Sequence, residues 1–301
     1  MRTSVATTLP ARPAPGAVLE LLKPITWFPP MWAFACGAVS SGQPVAGRWP
    51  LAAAGVMLAG PLVCATSQAV NDWFDRHVDA INEPRRPIPS GRIPGQWGLA
   101  IAVLWTLLSL AVAASLGPLV LGAAALGLAL AWAYSAPPLR LKLNGWLGNA
   151  AVGFSYETLP WITGAAVMAG GALADGRIAG LALLYGLGAH GILTLNDFKA
   201  MAGDAQMGVR SLPVRLGADR AARVACIVMA APQLVVMALL LSWGQMGHAL
   251  AVAALVAGQG VMMRRFLARP VERALWYSGF GVPLYVSGMM VSAFALRGLL
   301  A

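Results

Sequence analysis

The run from Leu51 to Asp79 reads LAAAGVMLAGPLVCATSQAVNDWFDRHVD, and its two parts are chemically opposed. Residues 51–70 carry no charged side chain, and about twenty apolar residues are what a helix needs to cross the hydrocarbon core of a bilayer. The next nine residues hold three aspartates, an arginine and a histidine. A helix that passes through lipid and ends in carboxylates places the chain among membrane proteins with polar chemistry at one surface.

The rest of the chain extends that reading. Of 301 residues, 58% are apolar and 11% charged, against about 25% charged in a soluble domain. This balance excludes a water-soluble enzyme, a disordered chain and a nucleic-acid module. Apolar runs fall at 25–41, 51–72, 96–115, 118–136, 147–168, 178–196, 221–242, 246–263 and 274–296. They predict an all-α polytopic membrane protein of about nine transmembrane helices in a bundle. Residues 1–19 are rich in Pro, Ala and Thr and read as a flexible cytoplasmic tail without a leader's apolar core. Residues 20–301 read as a single transmembrane domain. Cys36, Cys64 and Cys226 all sit in apolar runs, which argues against a disulfide framework.

The net charge of +10 is a matter of placement. With the N-terminus cytoplasmic and the C-terminus opposite, eighteen of the 21 basic residues fall on the cytoplasmic side; only Arg48, Arg177 and Arg297 fall elsewhere. That is the positive-inside pattern, and no nucleic-acid partner is needed to explain it.

Carboxylates are scarce, eleven in all, and six of them gather on that same face. Asp72, Asp75, Asp79 and Glu83 close the second run, and Asp197 and Asp204 close the sixth. On a helix, Asn71, Asp72, Asp75 and Asp79 are spaced to share a face. Like charges so close repel unless a cation intervenes. Mg²⁺ takes oxygen ligands and bridges one or two carboxylates to substrate phosphates. Arg86, Lys142, Lys199 and Arg210 lie nearby as donors for phosphate oxygens. One such cluster alone fits an ordinary solvated helix end. A second makes that reading the weaker one: Asn-Asp-aromatic recurs at Asn196-Asp197-Phe198, again before a basic, proline-bearing loop. The pattern predicts two pseudo-repeated halves, roughly 20–136 and 147–296, around a central cavity whose acids and bases hold a diphosphate through Mg²⁺.

At these residues the chain resembles the UbiA-type superfamily of intramembrane prenyltransferases, whose first motif, N-D-x-x-D-x-x-x-D, is matched by Asn71, Asp72, Asp75 and Asp79. The stretches 23–32, 86–92, 134–142, 155–161, 195–199 and 208–213 look like the chlorophyll and bacteriochlorophyll synthase subfamily, and most like its branch in purple photosynthetic bacteria. The resemblance covers nearly the whole chain. It implies Mg²⁺-dependent transfer of a geranylgeranyl or phytyl group from the prenyl diphosphate to the propionate of bacteriochlorophyllide a, with diphosphate released. It also implies the bacterial inner, intracytoplasmic membrane, an active site toward the cytoplasm, and a geranylgeranyl reductase as a candidate partner. Asp197 and Asp204 stand seven apart, wider than the D-x-x-x-D seen elsewhere in the superfamily. The superfamily's tyrosine–lysine motif is stretched here, and both Arg140 and Lys142 are candidates for its lysine.

The expected metal ligands are Asn71, Asp72, Asp75, Asp79, Asn196, Asp197 and Asp204, the aspartates being the catalytic acids. Arg86, Arg140, Lys142, Lys199 and Arg210 are expected on the diphosphate. Trp27, Trp73, Phe74, Tyr134 and Phe198 are candidates to face the prenyl group or pigment, since aromatic faces attract a carbocation. Glu157 is the one acid in mid-span, where a charge is costly and a functional role is the default. It is a candidate contact for the pigment's polar edge, or a hydrogen-bonded helix contact. His190 is a candidate ligand of the pigment's magnesium, or an interhelical hydrogen-bond partner. Other readings are a prenyltransferase of the same type acting on a quinone or haem precursor, an ion-coupled transporter, and a structural pigment-binding protein. Transporter sites lie near the bilayer midplane, whereas these acids lie at one interface.

Overall fold

The computed structural model describes residues 12–172 and 175–300, and the described part is helical. The expected tail lies partly outside these residues, at 1–11. Residues 15–19, read above as tail, instead begin the amphipathic helix α1 (Pro15–Leu22), because Ala17, Leu21 and Leu22 bury against neighbouring helices. After a short turn comes α2 (Phe28–Ser40), followed by α3 (Trp49–Asn82), α4 (Trp97–Leu116) and α5 (Pro118–Ser135). Helix α6, residues 145–168, is continuous but widens into π-type turns at Phe154–Thr158. The second half continues with α7 (Gly176–Asp197), the short α8 (Met201–Gln206) and α9 (Leu212–Leu216), and then α10 (Ala218–Ser242), α11 (Met246–Ala268) and α12 (Pro270–Leu300).

Seven of these helices (α3, α4, α5, α7, α10, α11 and α12) are long and apolar enough to cross a membrane. The other two expected spans correspond to α2 and α6. At 13 residues α2 is about 20 Å long, shorter than the hydrocarbon core. Helix α6 carries Asn149, Ser155, Tyr156, Glu157 and Thr158 along its length, which makes it less apolar than the seven.

Three polar links and one steric device hold the bundle. Gln233 of α10 and Gln259 of α11, both buried, exchange reciprocal amide hydrogen bonds of 3.1 and 3.0 Å. Without water to compete, such pairs join helices that lipid gives no hydrophobic reason to associate. Tyr285 of α12 donates to the Tyr185 carbonyl of α7 at 2.6 Å, and Trp161 of α6 donates to Ser40 of α2 at 2.9 Å. The steric device is the crossing of α2 over the second half of α6. A Cβ on Gly37 would stand 1.9 Å from the Trp161 carbonyl oxygen, and one on Gly164 would stand 2.1 Å from that of Phe34. Backbone meets backbone there, which only glycine permits.

The widened turns follow from sequence. In α3, Pro61 has no N–H to donate, and the helix relaxes into π-type turns over Leu58–Cys64. The loosened Pro61 carbonyl is taken by the Trp105 indole of α4 at 3.1 Å. Both widened segments, in α3 and α6, line the same internal chamber.

The α2–α6 crossing makes a direct test. Gly37→Val has no flexible neighbour to displace, so it should destabilise the folded protein by about 3 kcal/mol. Thermal unfolding in detergent would show this as a clear loss of melting temperature. An unchanged transition would mean that the helices are not this close.

Candidate active site

Two connected cavities lie at one end of the bundle and in its interior. The outer one, of about 670 Å³, is the mouth. The inner one, of about 330 Å³, is the chamber. They share Asn71, Tyr134, Asn149 and Asp197 on a common rim.

The last turns of α3 present Asn71, Asp75 and Asp79 to the mouth, and the end of α7 with α8 presents Asp197 and Asp204. Two loops close the ring. A pair of backbone hydrogen bonds, from Arg210 N–H to the Leu143 carbonyl at 3.0 Å and from Gly145 N–H to the Arg210 carbonyl at 2.9 Å, fastens the 208–211 loop to the 140–145 loop. Asn144 then caps α6, its side chain accepting from the Trp146 N–H at 3.0 Å. Arg140 and Lys142, the two candidates for one role, both line the mouth.

The acids are held by cations and amides. Lys142 Nζ pairs with Asp75 Oδ1, and Asn71 donates to Asp75 Oδ2 at 3.0 Å and to Ser135 at 3.3 Å. Arg86 donates to Asp79 at 2.9 Å and grips Glu83 with two bonds of 2.6 and 2.8 Å. Asn149 of α6 donates to Asp197 at 3.2 Å and to Thr194 at 3.3 Å. Burial holds the Lys142 pKa below the ordinary lysine value of 10.5, against the opposing hydrogen bond and charge of Asp75. Burial likewise raises the Asp204 carboxyl above its ordinary 3.8.

Not every expected ligand reaches the mouth. Asp72 was expected on the same face as Asp75 and Asp79, but it is absent from both cavity walls. One residue past Asn71 the helix has turned about 100°. Asp72 is 1% exposed and lies between Lys23 Nζ at 2.6 Å and Arg86 at 3.4 Å, with Oδ2 unpartnered among the described residues. Lys199 and Arg210 are exposed and lie outside the walls, while Asn196 lines the chamber.

The acids of the mouth (Asp75, Asp79, Glu83, Asp197 and Asp204) outnumber its bases (Arg86, Arg140 and Lys142). No three His, Cys, Asp or Glu residues converge on one point among the described residues. Every donor in the ring is nevertheless an oxygen or an amide. This suits a hard cation that takes one or two carboxylates from each wall and completes its shell with water or phosphate oxygens. The donor set therefore fits Mg²⁺ and does not form a closed all-protein cage.

The chamber is lined by apolar residues, among them Leu58, Val63, Gly127, Leu130 and Leu159, and by a polar cluster. There the Tyr156 hydroxyl of α6 meets Cys64, Ser67 and Gln68 of α3 at 3.3, 3.1 and 3.0 Å.

Of the aromatic candidates, only Tyr134 lines the cavities. Trp27 donates to the Leu22 carbonyl at 2.9 Å, and Trp73 lies under the Arg76 guanidinium at 4.1 Å. Phe74 packs edge-on against Trp132, and Phe198 is buried against Phe266. Glu157 is buried with Oε2 unpartnered among the described residues, and it lines neither cavity. His190 meets the Trp146 carbonyl at 3.2 Å and also stays out of the walls. The residues that reading by motif missed are Asn149, Tyr156, Ser67 and Gln68. The last of these had a signal, since it stands one turn before Asn71 on the same helix face.

The UbiA prenyltransferase family model matches residues 26–289. The chain is 58% identical over 287 residues to the bacteriochlorophyll synthase 33 kDa chain of Cereibacter sphaeroides, covering 95% of each. It is 40% identical over 292 residues to the chloroplastic chlorophyll synthase of Arabidopsis thaliana, covering 92% of this chain and 73% of that one. The structure of a UbiA homologue from Archaeoglobus fulgidus bound to GPP and Mg²⁺ superposes with a TM-score of 0.64 at 18% identity, over 94% of this chain and 99% of that one.

The depressed pKa of Lys142 makes the mouth sensitive to alkali. An ammonium with a folded pKa below 10.5 loses its proton, and its hold on an anion, at lower pH than a free lysine does. Binding of inorganic pyrophosphate with magnesium, followed by calorimetry from pH 7 upward, should weaken on the alkaline side. Lys142→Arg should move that limb up by about one pH unit or more, because a guanidinium stays charged. A limb that does not move would assign it to another group.

Proposed function

This chain belongs to the UbiA prenyltransferase family, and from that premise we propose that it is a bacteriochlorophyll synthase, esterifying the propionate of bacteriochlorophyllide a with a geranylgeranyl or phytyl group from the prenyl diphosphate. The chain is an integral membrane protein and a prenyl-transferring enzyme. The observation that carries the finer reading is the joining of an acid-and-base mouth to an apolar chamber by a shared rim. One suits a diphosphate, the other suits hydrocarbon. The higher identity to the bacteriochlorophyll enzyme than to the chlorophyll enzyme favours the former pigment.

In this reading Asn71, Asp75, Asp79, Asn196, Asp197 and Asp204 hold Mg²⁺. Bound there, the metal supplies Lewis-acid stabilisation of the departing diphosphate. Arg86, Arg140 and Lys142 aim their donors at the same oxygens, where negative charge develops. Asp72 orients Arg86 from behind the wall. Lys199 and Arg210, exposed outside the cavity walls, contribute attraction over distance. Tyr134 shelters the allylic carbon as positive charge grows on it. The bond from that carbon to the diphosphate oxygen breaks, and its electron pair leaves with the diphosphate. A propionate oxygen forms the new C–O bond. The carboxylate is already ionised at neutral pH, so no proton is released and no general base is required.

We further read α2 and α6 as spanning together with their neighbours, giving nine spans in the two halves 20–136 and 147–296 of one domain over 20–301. The basic loops around the mouth support a cytoplasmic active site and N-terminus, with the C-terminus opposite, in the bacterial intracytoplasmic membrane. A geranylgeranyl reductase is the natural neighbour for a chain that attaches this tail.

The test is an assay of purified protein in lipid nanodiscs with geranylgeranyl diphosphate, bacteriochlorophyllide a and Mg²⁺. Ester and diphosphate should form in equal amounts, and EDTA should stop both. Asp75→Ala and Asp197→Ala should each lower turnover by about a hundredfold or more. Full turnover in either variant would remove that residue from the site, and no ester with the wild-type protein would refute the reading.

A further inference from the structure

Gln68 stands on α3 at the inner edge of the mouth, one turn from Asn71 and two from Asp75, and it lines the chamber. Counting hydrogens settles how its amide is turned. The Ser67 hydroxyl donates to the Cys64 carbonyl at 2.7 Å, so its hydrogen is spent. The 3.1 Å contact between Ser67 and Tyr156 must then use the tyrosine's single hydrogen, with Ser67 accepting. Tyr156 is left able only to accept, and the 3.0 Å contact with Gln68 therefore takes one amide N–H. The second N–H and Oε1 of Gln68 have no partner among the described residues and belong to a side chain on the chamber wall.

Four other amides line the cavities, and none offers a donor fixed in the same way. Asn71 spends its N–H groups on Asp75 and Ser135, and Asn149 on Thr194 and Asp197. Asn82, in the mouth, turns its amide to the Met207 sulfur at 3.7 Å, and Asn196 is exposed beside Asp197 with no partner fixing its amide among the described residues. A fixed amide with one free N–H is thus available at one depth, just inside the rim.

The prenyl tail is hydrocarbon and has no use for that donor. The acceptor is an anion entering an apolar chamber, and it does. With the diphosphate in the mouth, the carbon that leaves it lies just inside the rim, and the nucleophilic oxygen has to arrive at that level. An unpaired carboxylate there is strongly disfavoured. A lysine or arginine in this place would hold it tightly and blunt its attack, whereas a neutral amide satisfies one lone pair and leaves the charge. Resting on the proposed function, we propose that Gln68 binds the acceptor's carboxylate through its free N–H, and that Tyr156 is a positioning residue that locks the amide in that orientation through Ser67.

The experiment is steady-state kinetics of the full chain in nanodiscs, varying bacteriochlorophyllide a and geranylgeranyl diphosphate in turn. Gln68→Met keeps the volume and removes the donor. It should raise acceptor KM about tenfold or more while donor KM stays within about twofold. Gln68→Glu, which sets carboxylate against carboxylate, should raise acceptor KM further. Tyr156→Phe, which frees the amide to turn, should raise it in the same direction by less. Because the Tyr156 and Glu variants test the same donor, a poorly folded Met variant leaves the question decidable. Acceptor KM unchanged across them, or donor KM rising equally, would overturn the assignment. If the wild-type protein forms no ester, the proposed function falls. If it turns over and Gln68→Met keeps its acceptor KM, only the role of Gln68 falls.

Discussion

The pairing of membrane-end carboxylates with cations supplied by loops is the constraint that organises this molecule. Asp75, Asp79 and Asp72 stand at the end of a spanning helix, where each would be costly alone. Lys142, Arg86 and Lys23 reach them from three separate segments. Removing one member of a buried pair costs about 3 kcal/mol or more, because the other charge is left uncompensated. The loops at 83–96 and 140–145 and the segment after α1 are therefore drawn to one place. Glu20 and Arg92, paired at 2.5 and 2.8 Å, fasten α1 to the first of these loops as well. The mouth is built by the same charges that it offers to a substrate.

Beneath the mouth, packing takes over from charge. The α2–α6 crossing brings backbones together at Gly37 and Gly164, and this leaves room elsewhere for the two widened helical segments to face each other. A π-type turn shifts the register of the side chains that follow it, so Cys64, Ser67 and Gln68 meet Tyr156 across the chamber. Within the chamber, Ser67, Gln68 and Tyr156 thereby form one hydrogen-bonded polar cluster. Leu58, Val63, Leu130 and Leu159 line the same chamber and suit hydrocarbon.

Much of this was legible in residue order. Long uncharged runs closed by Asn71-Asp72 and Asn196-Asp197 were enough to place a helical membrane protein with two acid clusters, and both clusters line one mouth. Three kinds of detail were not legible. Helix rotation at single-residue resolution was one: Asp72 fits the spacing rule yet lies behind the wall, held by Lys23. The direction of aromatic side chains was another, since Trp73, Phe74 and Phe198 flank the motifs but pack against Arg76, Trp132 and Phe266. The third was long-range polar pairing. Asn149 and Tyr156 lie far along the chain from the groups they engage, and spacing within their own segments does not reveal those partners. The two remaining expected spans fall short of the seven for different reasons, α2 by its length and α6 by the polar residues along it, Asn149 and Glu157 among them.

The depth of the shared rim then explains why one bundle can bring together an anion that leaves and an anion that attacks. In water both would be well solvated, and the positive carbon between them would be captured by solvent. Deep in the chamber neither charge would be tolerated. At the rim the two needs separate by direction. Negative charge departs outward toward Arg86, Arg140 and Lys142, while the carbon and the arriving oxygen stay on the inner side beside Tyr134 and the amide of Gln68. The mouth offers solvated charges and the chamber offers Leu58 and Leu159, so neither alone suits both groups. The spacing of Gln68, Asn71 and Asp75 along a single helix fixes that depth, so the rigidity of α3 is itself part of the chemistry.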